Sequence, residues 1–277
     1  MSTFSREALL AAVRARAAER RRAQPLERLE DLVAADSWRR ERFLQALTRP
    51  ELALVPVCAR RRPWSEVRLE DAPSAQARPT RTSAPGPRWF AFVDACRAGG
   101  AAALGVATEQ DYFGGALEDL LTVAHAGRVR LRCDFPLDEA MLLESCLFGA
   151  DGVRLVAADL ADTQLRALRE RARVLGLGVW IEVHDERELE RALPLEAEAL
   201  CASARDPRST QLVPGRCEEL LARMPKGPLR LAGGGISGPE DLRALRAAGA
   251  QVALVGEALA RACDPAALLR AWREACA

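Results

Sequence analysis

Residues 152–185 read GVRLVAADLADTQLRALRERARVLGLGVWIEVHD. A short apolar run at 152–156 leads into an amphipathic helical stretch at 162–175, which Gly176 closes, and a second apolar run follows at 178–183. Short runs rich in β-branched residues, separated by a helical pattern, spell strand–helix–strand. A glycine just past a periodic segment is a common helix terminator. Two strands joined through a helix call for a right-handed crossover, so the unit predicts a parallel sheet.

The same alternation extends outward in both directions. Strand-like runs lie at 52–58, 102–107, 129–133, 152–156, 178–183, 199–202, 229–232 and 251–255. Helical stretches follow them at 89–98, 117–124, 137–148, 162–175, 186–193, 216–224, 240–248 and 258–262. Asp138, the segment from Ser237 to Asp241, and Asp264 with Pro265 supply cap and first-turn chemistry for three of these helices. Eight such units across residues 51–277 fit the size of an α/β (β/α)8 TIM barrel. The competing open doubly wound sheet is weakened because no G-x-G-x-x-G follows the first strand. Residues 1–50 read as an N-terminal helical extension packing on the barrel, with helical segments at 6–21, 26–34 and 37–48, the last starting at Ser37. The arginine-rich first segment is expected to cover the barrel bottom. The proline-rich residues 68–88 read as a long, mobile βα loop on the catalytic face.

Composition narrows the function. The 277 residues carry 40 Lys plus Arg against 39 Asp plus Glu, a net charge of +1. A nucleic-acid surface needs a basic excess or stripe, so no nucleic-acid partner is expected. Only one of the basic residues is a lysine, Lys226, and it precedes the seventh strand on the bottom face. Lysine gives up its proton when buried, whereas arginine effectively does not. Any mechanism needing two lysines is therefore excluded. No apolar run reaches the roughly 18 residues of a membrane span, and the N-terminus is no secretory signal, so a cytoplasmic protein without a membrane partner is expected. Eight scattered cysteines without a C-x-x-C pair read as reduced, mostly buried thiols. His125 and His184 show no metal-ligand spacing, and neither a metal nor another cofactor is expected.

In a barrel the chemistry lies at the C-terminal strand ends. Gly233, Gly234 and Gly235 follow the seventh strand and Gly256 follows the eighth, where barrels often cradle a phosphate on backbone N–H groups. Tight turns alone are the other reading of these glycines. Arg60, Arg61 and Arg62 in the first loop offer countercharge, while Glu257 beside the cradle opposes an anion. The expected partner is a small phosphorylated or anionic ligand, and the chain is expected to be a monomer or small homo-oligomer.

Read in order, the motifs resemble the indole-3-glycerol phosphate synthase family over residues 26–259. The second strand and loop, GAAALGVATE at 100–109 with YFGGALEDL at 112–120, are similar to that family, as are RCDF at 132–135, IEVHDEREL at 181–189 and LVGEAL at 254–259. The resemblance implies a tryptophan-biosynthesis barrel, a decarboxylating lyase that closes the indole ring of a carboxyphenylamino-deoxyribulose 5-phosphate with loss of carbon dioxide and water. It carries the family's fifth-strand glutamate onto Glu182, a retained base candidate. It carries substrate- and phosphate-binding positions onto Glu109, Phe113, Arg205, Gly235 and Gly256. The family's third-strand lysine, its general acid, falls on Cys133, and its first-strand lysine on Ala59. Its first-strand glutamate falls on Val57, its sixth-strand asparagine on Ser203, its seventh-strand glutamate and serine on Gly233 and Gly234, and its phosphate-loop serine on Arg62. A thiol cannot replace an ammonium ion, because it is neutral or negative. The resemblance thus implies a catalytically degenerate member, a pseudoenzyme with a retained phosphate or anion site. Two alternatives stay open: a working synthase with rerouted catalytic residues, and another barrel lyase or isomerase acting on a phosphorylated substrate.

Overall fold

Among the described residues, three helices precede the first strand: α1 (Arg6–Ala23), α2 (Leu26–Leu32) and α3 (Trp38–Leu47). The structure, a computed structural model, describes residues 4–33, 36, 38–69 and 86–276. Ser37 and most of the 68–88 loop lie outside the described residues.

The eight barrel strands are β1 (Ala53–Cys58), β2 (Ala103–Val106), β3 (Val129–Arg132), β4 (Gly152–Val156), β5 (Gly178–Val183), β6 (Ala199–Ser203), β7 (Leu229–Gly233) and β8 (Val252–Val255). Each pairs in parallel with the next, and β8 returns to β1, so the sheet closes. Around it run α4 (Pro87–Ala98), α5 (Glu118–Thr122), α6 (Glu139–Leu147), α7 (Asp162–Val174), α8 (Glu186–Ala192), α9 (Arg216–Arg223), α10 (Pro239–Ala247), α11 (Glu257–Arg261) and α12 (Pro265–Ala275). The fold is a (β/α)8 TIM barrel. The capping signals operate as read: Asp138 accepts from Met141 N at 3.0 Å, and Asp264 from Ala267 N at 2.9 Å. One element had no sequence signal, a short antiparallel hairpin of Arg61–Arg62 with Ser65–Arg68 in the first βα loop.

Successive side chains of a strand point to opposite faces, and the burial follows that rule. Ala53, Val55, Leu131, Trp180, Cys201 and Leu231 fill the barrel, while Leu54, Val153, Leu155, Val179, Ile181 and Leu200 pack outward against the helices. The bottom is plugged by α3. Its Phe43 is fully buried and stacks on Trp180, with ring centroids 6.3 Å apart and planes 12° off parallel. A Cβ on Gly152 would stand 2.6 Å from the Phe43 ring, and one on Gly178 closer still. Both strand starts must therefore be glycine for this ring to seat.

The position of α1 corrects an expectation. The arginine-rich first helix does not cover the bottom. Leu9, Val13 and Ala17 pack on Ala59, Ala107, Phe113, Phe135 and Val156, all at or beyond the C-terminal strand ends. Its arginines face the flanking loops and helices: Arg6 pairs with Asp159, Arg16 with Asp111 at 3.0 Å and Arg20 with Glu144 at 2.6 Å. Arginine richness marks a solvated face in both arrangements, so charge alone did not choose the end. Lys226 is exposed in the connection before β7, as read.

Candidate functional site at the barrel mouth

A cavity of about 620 Å³ opens at the C-terminal strand ends. One wall is aromatic. Phe113 comes from the loop after β2, Phe135 from that after β3, and Trp64 from the Arg61–Arg68 hairpin. Phe113 lies 5.6 Å from Trp64 and 5.9 Å from Phe135, centroid to centroid. Arg205 stacks on Trp64 at 4.5 Å, and Arg6 of α1 on Phe135 at 4.4 Å. Guanidinium over an aromatic face is an attractive arrangement that also fixes the side chain.

Deeper in the mouth runs a string of charges. Arg154 of β4 donates from Nη1 to Glu182 Oε2 at 3.0 Å. The other oxygen of Glu182 lies 3.2 Å from His184 Nε2, and His184 Nδ1 lies 2.9 Å from Glu188 Oε2. Burial works to raise the Glu182 carboxyl, but Arg154 and His184 outweigh it and hold the group below the usual carboxylate range. Burial works to lower the His184 imidazole, yet its two carboxylate partners push it up to about 9. Glu182 is thus a fixed anion between two cations. Cys133 sits on the same wall, its thiol pushed up to about 12 by burial. Ala59 is 1% exposed and packs within the α1 cluster at the edge of the cavity.

The glycines that follow β7 and β8 line the cavity and are closely packed. Gly234 and Gly235 have φ of +90° and +83°, which L side chains rarely adopt. A Cβ on Gly235 would meet the Leu212 side chain at 2.7 Å, and one on Gly256 would meet Arg62 Nη2 at 3.1 Å. The Arg62 guanidinium therefore lies against Gly256. It is only 4% exposed, donates from Nη2 to the Val57 carbonyl at 2.7 Å, and leaves Nη1 buried with no hydrogen-bond partner among the described residues. Burial lowers Arg62 to about 10, which still leaves it cationic at neutral pH. Glu257, expected to oppose an anion, is engaged by Arg261 at 2.6 Å.

The expected site residues divide accordingly. Glu182, Cys133, Ala59, Phe113, Arg205, Gly234, Gly235, Gly256 and Arg62 all line the cavity. Glu109 does not: its carboxylate accepts the backbone N–H groups of Asp111, Tyr112 and Phe113 at 2.8, 2.8 and 3.0 Å. It shapes the loop that delivers Phe113. Of the basic triplet, Arg62 lies against Gly256. Arg60 bonds the buried Asp119, and Arg61 bonds the carbonyls of Gln110 and Asp111. Sequence reading missed Arg154, Arg6 and Trp64. For Arg154 a signal existed, namely an arginine inside the apolar run 152–156. Among the described residues no group of three or more His, Cys, Asp or Glu is placed to hold a metal ion. No helix there is long and apolar enough to cross a membrane.

A closed parallel barrel with a charged, aromatic mouth defines a (β/α)8-barrel protein with a cavity suited to a small ligand. The sequence pattern described as indole-3-glycerol phosphate synthase matches residues 90–272. The chain is 41% identical over 174 residues to the indole-3-glycerol phosphate synthase of Nocardioides sp., covering 62% of this chain and 67% of that one. It is 34% identical over 253 residues to indole-3-glycerol phosphate synthase 2 of Streptomyces coelicolor, covering 91% and 92%. The chain belongs to the indole-3-glycerol phosphate synthase family. Among solved structures, 3-hexulose-6-phosphate synthase aligns with a TM-score of 0.58 at 18% identity, over 82% of this chain and 100% of that one. At that identity the likeness concerns the fold alone.

Proposed function

We propose that this chain is a family member that no longer closes the indole ring and holds a small phosphorylated or anionic ligand in the barrel mouth. The observation that carries this reading is Glu182, fixed between Arg154 and His184 with no lysine in reach. A carboxylate held so far down is a poor proton acceptor. The nearest thiol, Cys133, stays protonated at neutral pH. Each positioned acid or base supplies about 10²–10⁴ in rate, so losing two lysines and two carboxylates removes most of the acceleration. What stays is suited to binding. Arg62 keeps a buried donor beside Gly256 with no hydrogen-bond partner among the described residues, and Arg205 and Arg154 add permanent positive charge. Guanidinium groups match phosphate and carboxylate oxygens well.

The relatives' names favour a second reading, a working synthase that routes its chemistry through arginines and Glu182. It requires carbon dioxide release, whereas ligand holding does not. The anion site is tested by thermal shift with inorganic phosphate and sugar phosphates at millimolar levels. A ligand at about 100 times its Kd stabilises by about 2.7 kcal/mol, a readily measured shift. Stabilisation that Arg62→Ala abolishes is expected. No stabilisation by any phosphate would sink the anion site.

A further inference from the structure

Arg154 is the least expected residue of the mouth. It stands in the middle of β4, flanked by Val153 and Leu155, which pack outward. Its register partner on β5 is Trp180, which fills the barrel, so the same parity turns Arg154 inward. On the other side, Leu131 pairs with Gly152 and Arg132 with Val153. One step further along both chains brings Cys133 level with Arg154. The guanidinium donates from Nε to the Asp134 carbonyl at 3.2 Å, bonds Glu182, and lies 5.0 Å from the Phe135 ring centroid. A charge placed in a barrel interior is costly unless it is paired, and truncating one partner leaves the other stranded. Packing alone offers no reason to keep one there.

We propose that Arg154 and Cys133 are a compensated pair: the guanidinium on β4 stands in for the ammonium missing at position 133, takes Glu182 as its fixed counter-ion, and presents to an anionic ligand a cation that cannot donate a proton. The proposal rests on the reading that ring closure has been lost. It explains why a thiol is tolerated at 133 and why Glu182 survives without a lysine. It also means that an ammonium restored at 133 meets a guanidinium already in place, with a single carboxylate between them. The charged and titratable groups that interact with Glu182 are Arg154 from β4, His184 at the end of its own strand, Arg6 from α1, and the thiols of Cys133, Cys201 and Cys217.

The test is a double-mutant cycle on the full chain: Cys133→Lys, Arg154→Leu and the two combined, read by thermal melting. Cys133→Lys alone is expected to lower the melting temperature, and adding Arg154→Leu to recover part of the loss. Additive losses would overturn the pairing. Should Cys133→Lys not fold, the carboxyl carbon resonance of Glu182, assigned with Glu182→Gln, gives an independent reading. Arg154→Leu is expected to move the Glu182 titration up by at least about one pH unit, tenfold in proton affinity, and Arg154→Lys to leave it low. An unmoved titration in Arg154→Leu would overturn the counter-ion role, which a merely space-filling side chain would not have. The two readings fail separately. Turnover by the unmodified chain would break the loss of ring closure, whereas additive cycles would break only the pairing.

Discussion

At the bottom of the barrel Phe43 stacks on Trp180 over two glycines that have no room for a methyl group. At the mouth, Arg154, Glu182, His184 and Glu188 form a line of alternating charge beside an open cavity. The two ends are thus closed by different physics. The plug ring is held by shape and should punish any change in volume, while α3 around it is tied to the strand starts by Arg40 with Glu198 at 2.6 Å and by Arg42 with Asp151. The mouth is held by charge balance, so it should accept changes in volume but not the loss of one partner.

Four experiments break or sharpen that contrast. Phe43→Ala should cost the most, about 3–5 kcal/mol, as large-to-small changes at filled core sites do. Urea denaturation measures it, and phosphate-induced stabilisation at the mouth should persist in the folded fraction. A loss under about 1 kcal/mol would mean that the bottom relaxes and is not held by fit. Next comes Glu182→Ala, which strands Arg154 and His184 and should cost about 3 kcal/mol. Glu182→Gln, nearly the same in volume, should cost almost as much if charge is what matters. An innocuous Glu182→Gln would move the mouth into the same class as the bottom.

The third is the pH dependence. The folded pKa of His184 is raised, so its contribution is whole below the unfolded value of about 6.5 and fades as pH rises through about 9. Up to about 3 kcal/mol should disappear across that window, and His184→Gln should flatten the slope. Glu182 runs the other way. Its folded pKa is depressed, so its contribution is present above the unfolded value of about 4.3 and is lost on acidification below it. A stability curve flat from pH 6.5 to 9 would contradict the charge string. The smallest effect concerns thiols. Cys263 is exposed and should alkylate quickly at pH 8, while Cys133 stays unlabelled because burial keeps it protonated. Mass spectrometry after iodoacetamide treatment reads both, and matched rates would point to an activated thiol in the mouth.

The strands and most helices were legible because their signals are local. The 152–185 unit contains its own alternation, helix face and terminating glycine, and Asp138 and Asp264 cap the helices they precede. The site was legible where its residues lie at strand ends. It was not legible where the decisive fact joins distant segments. Nothing local says that α1 crosses the mouth, because its apolar stripe of Leu9, Val13 and Ala17 would fit either end. Arg60 looked like countercharge for a ligand, but its partner Asp119 lies 59 residues away. Glu109 is the opposite case. Its bonds to the next few backbone N–H groups are ordinary turn chemistry, and the strand-end position drew attention away from them.

Whether the mouth still moves protons is decided by one measurement, release of carbon dioxide from carboxyphenylamino-deoxyribulose 5-phosphate by the purified full chain. A mouth of fixed charges should stabilise on adding this compound and release no more carbon dioxide than buffer does. Release at ordinary enzymatic rates, about 1 s⁻¹ or faster, would contradict it and return Glu182 to the role of a working base.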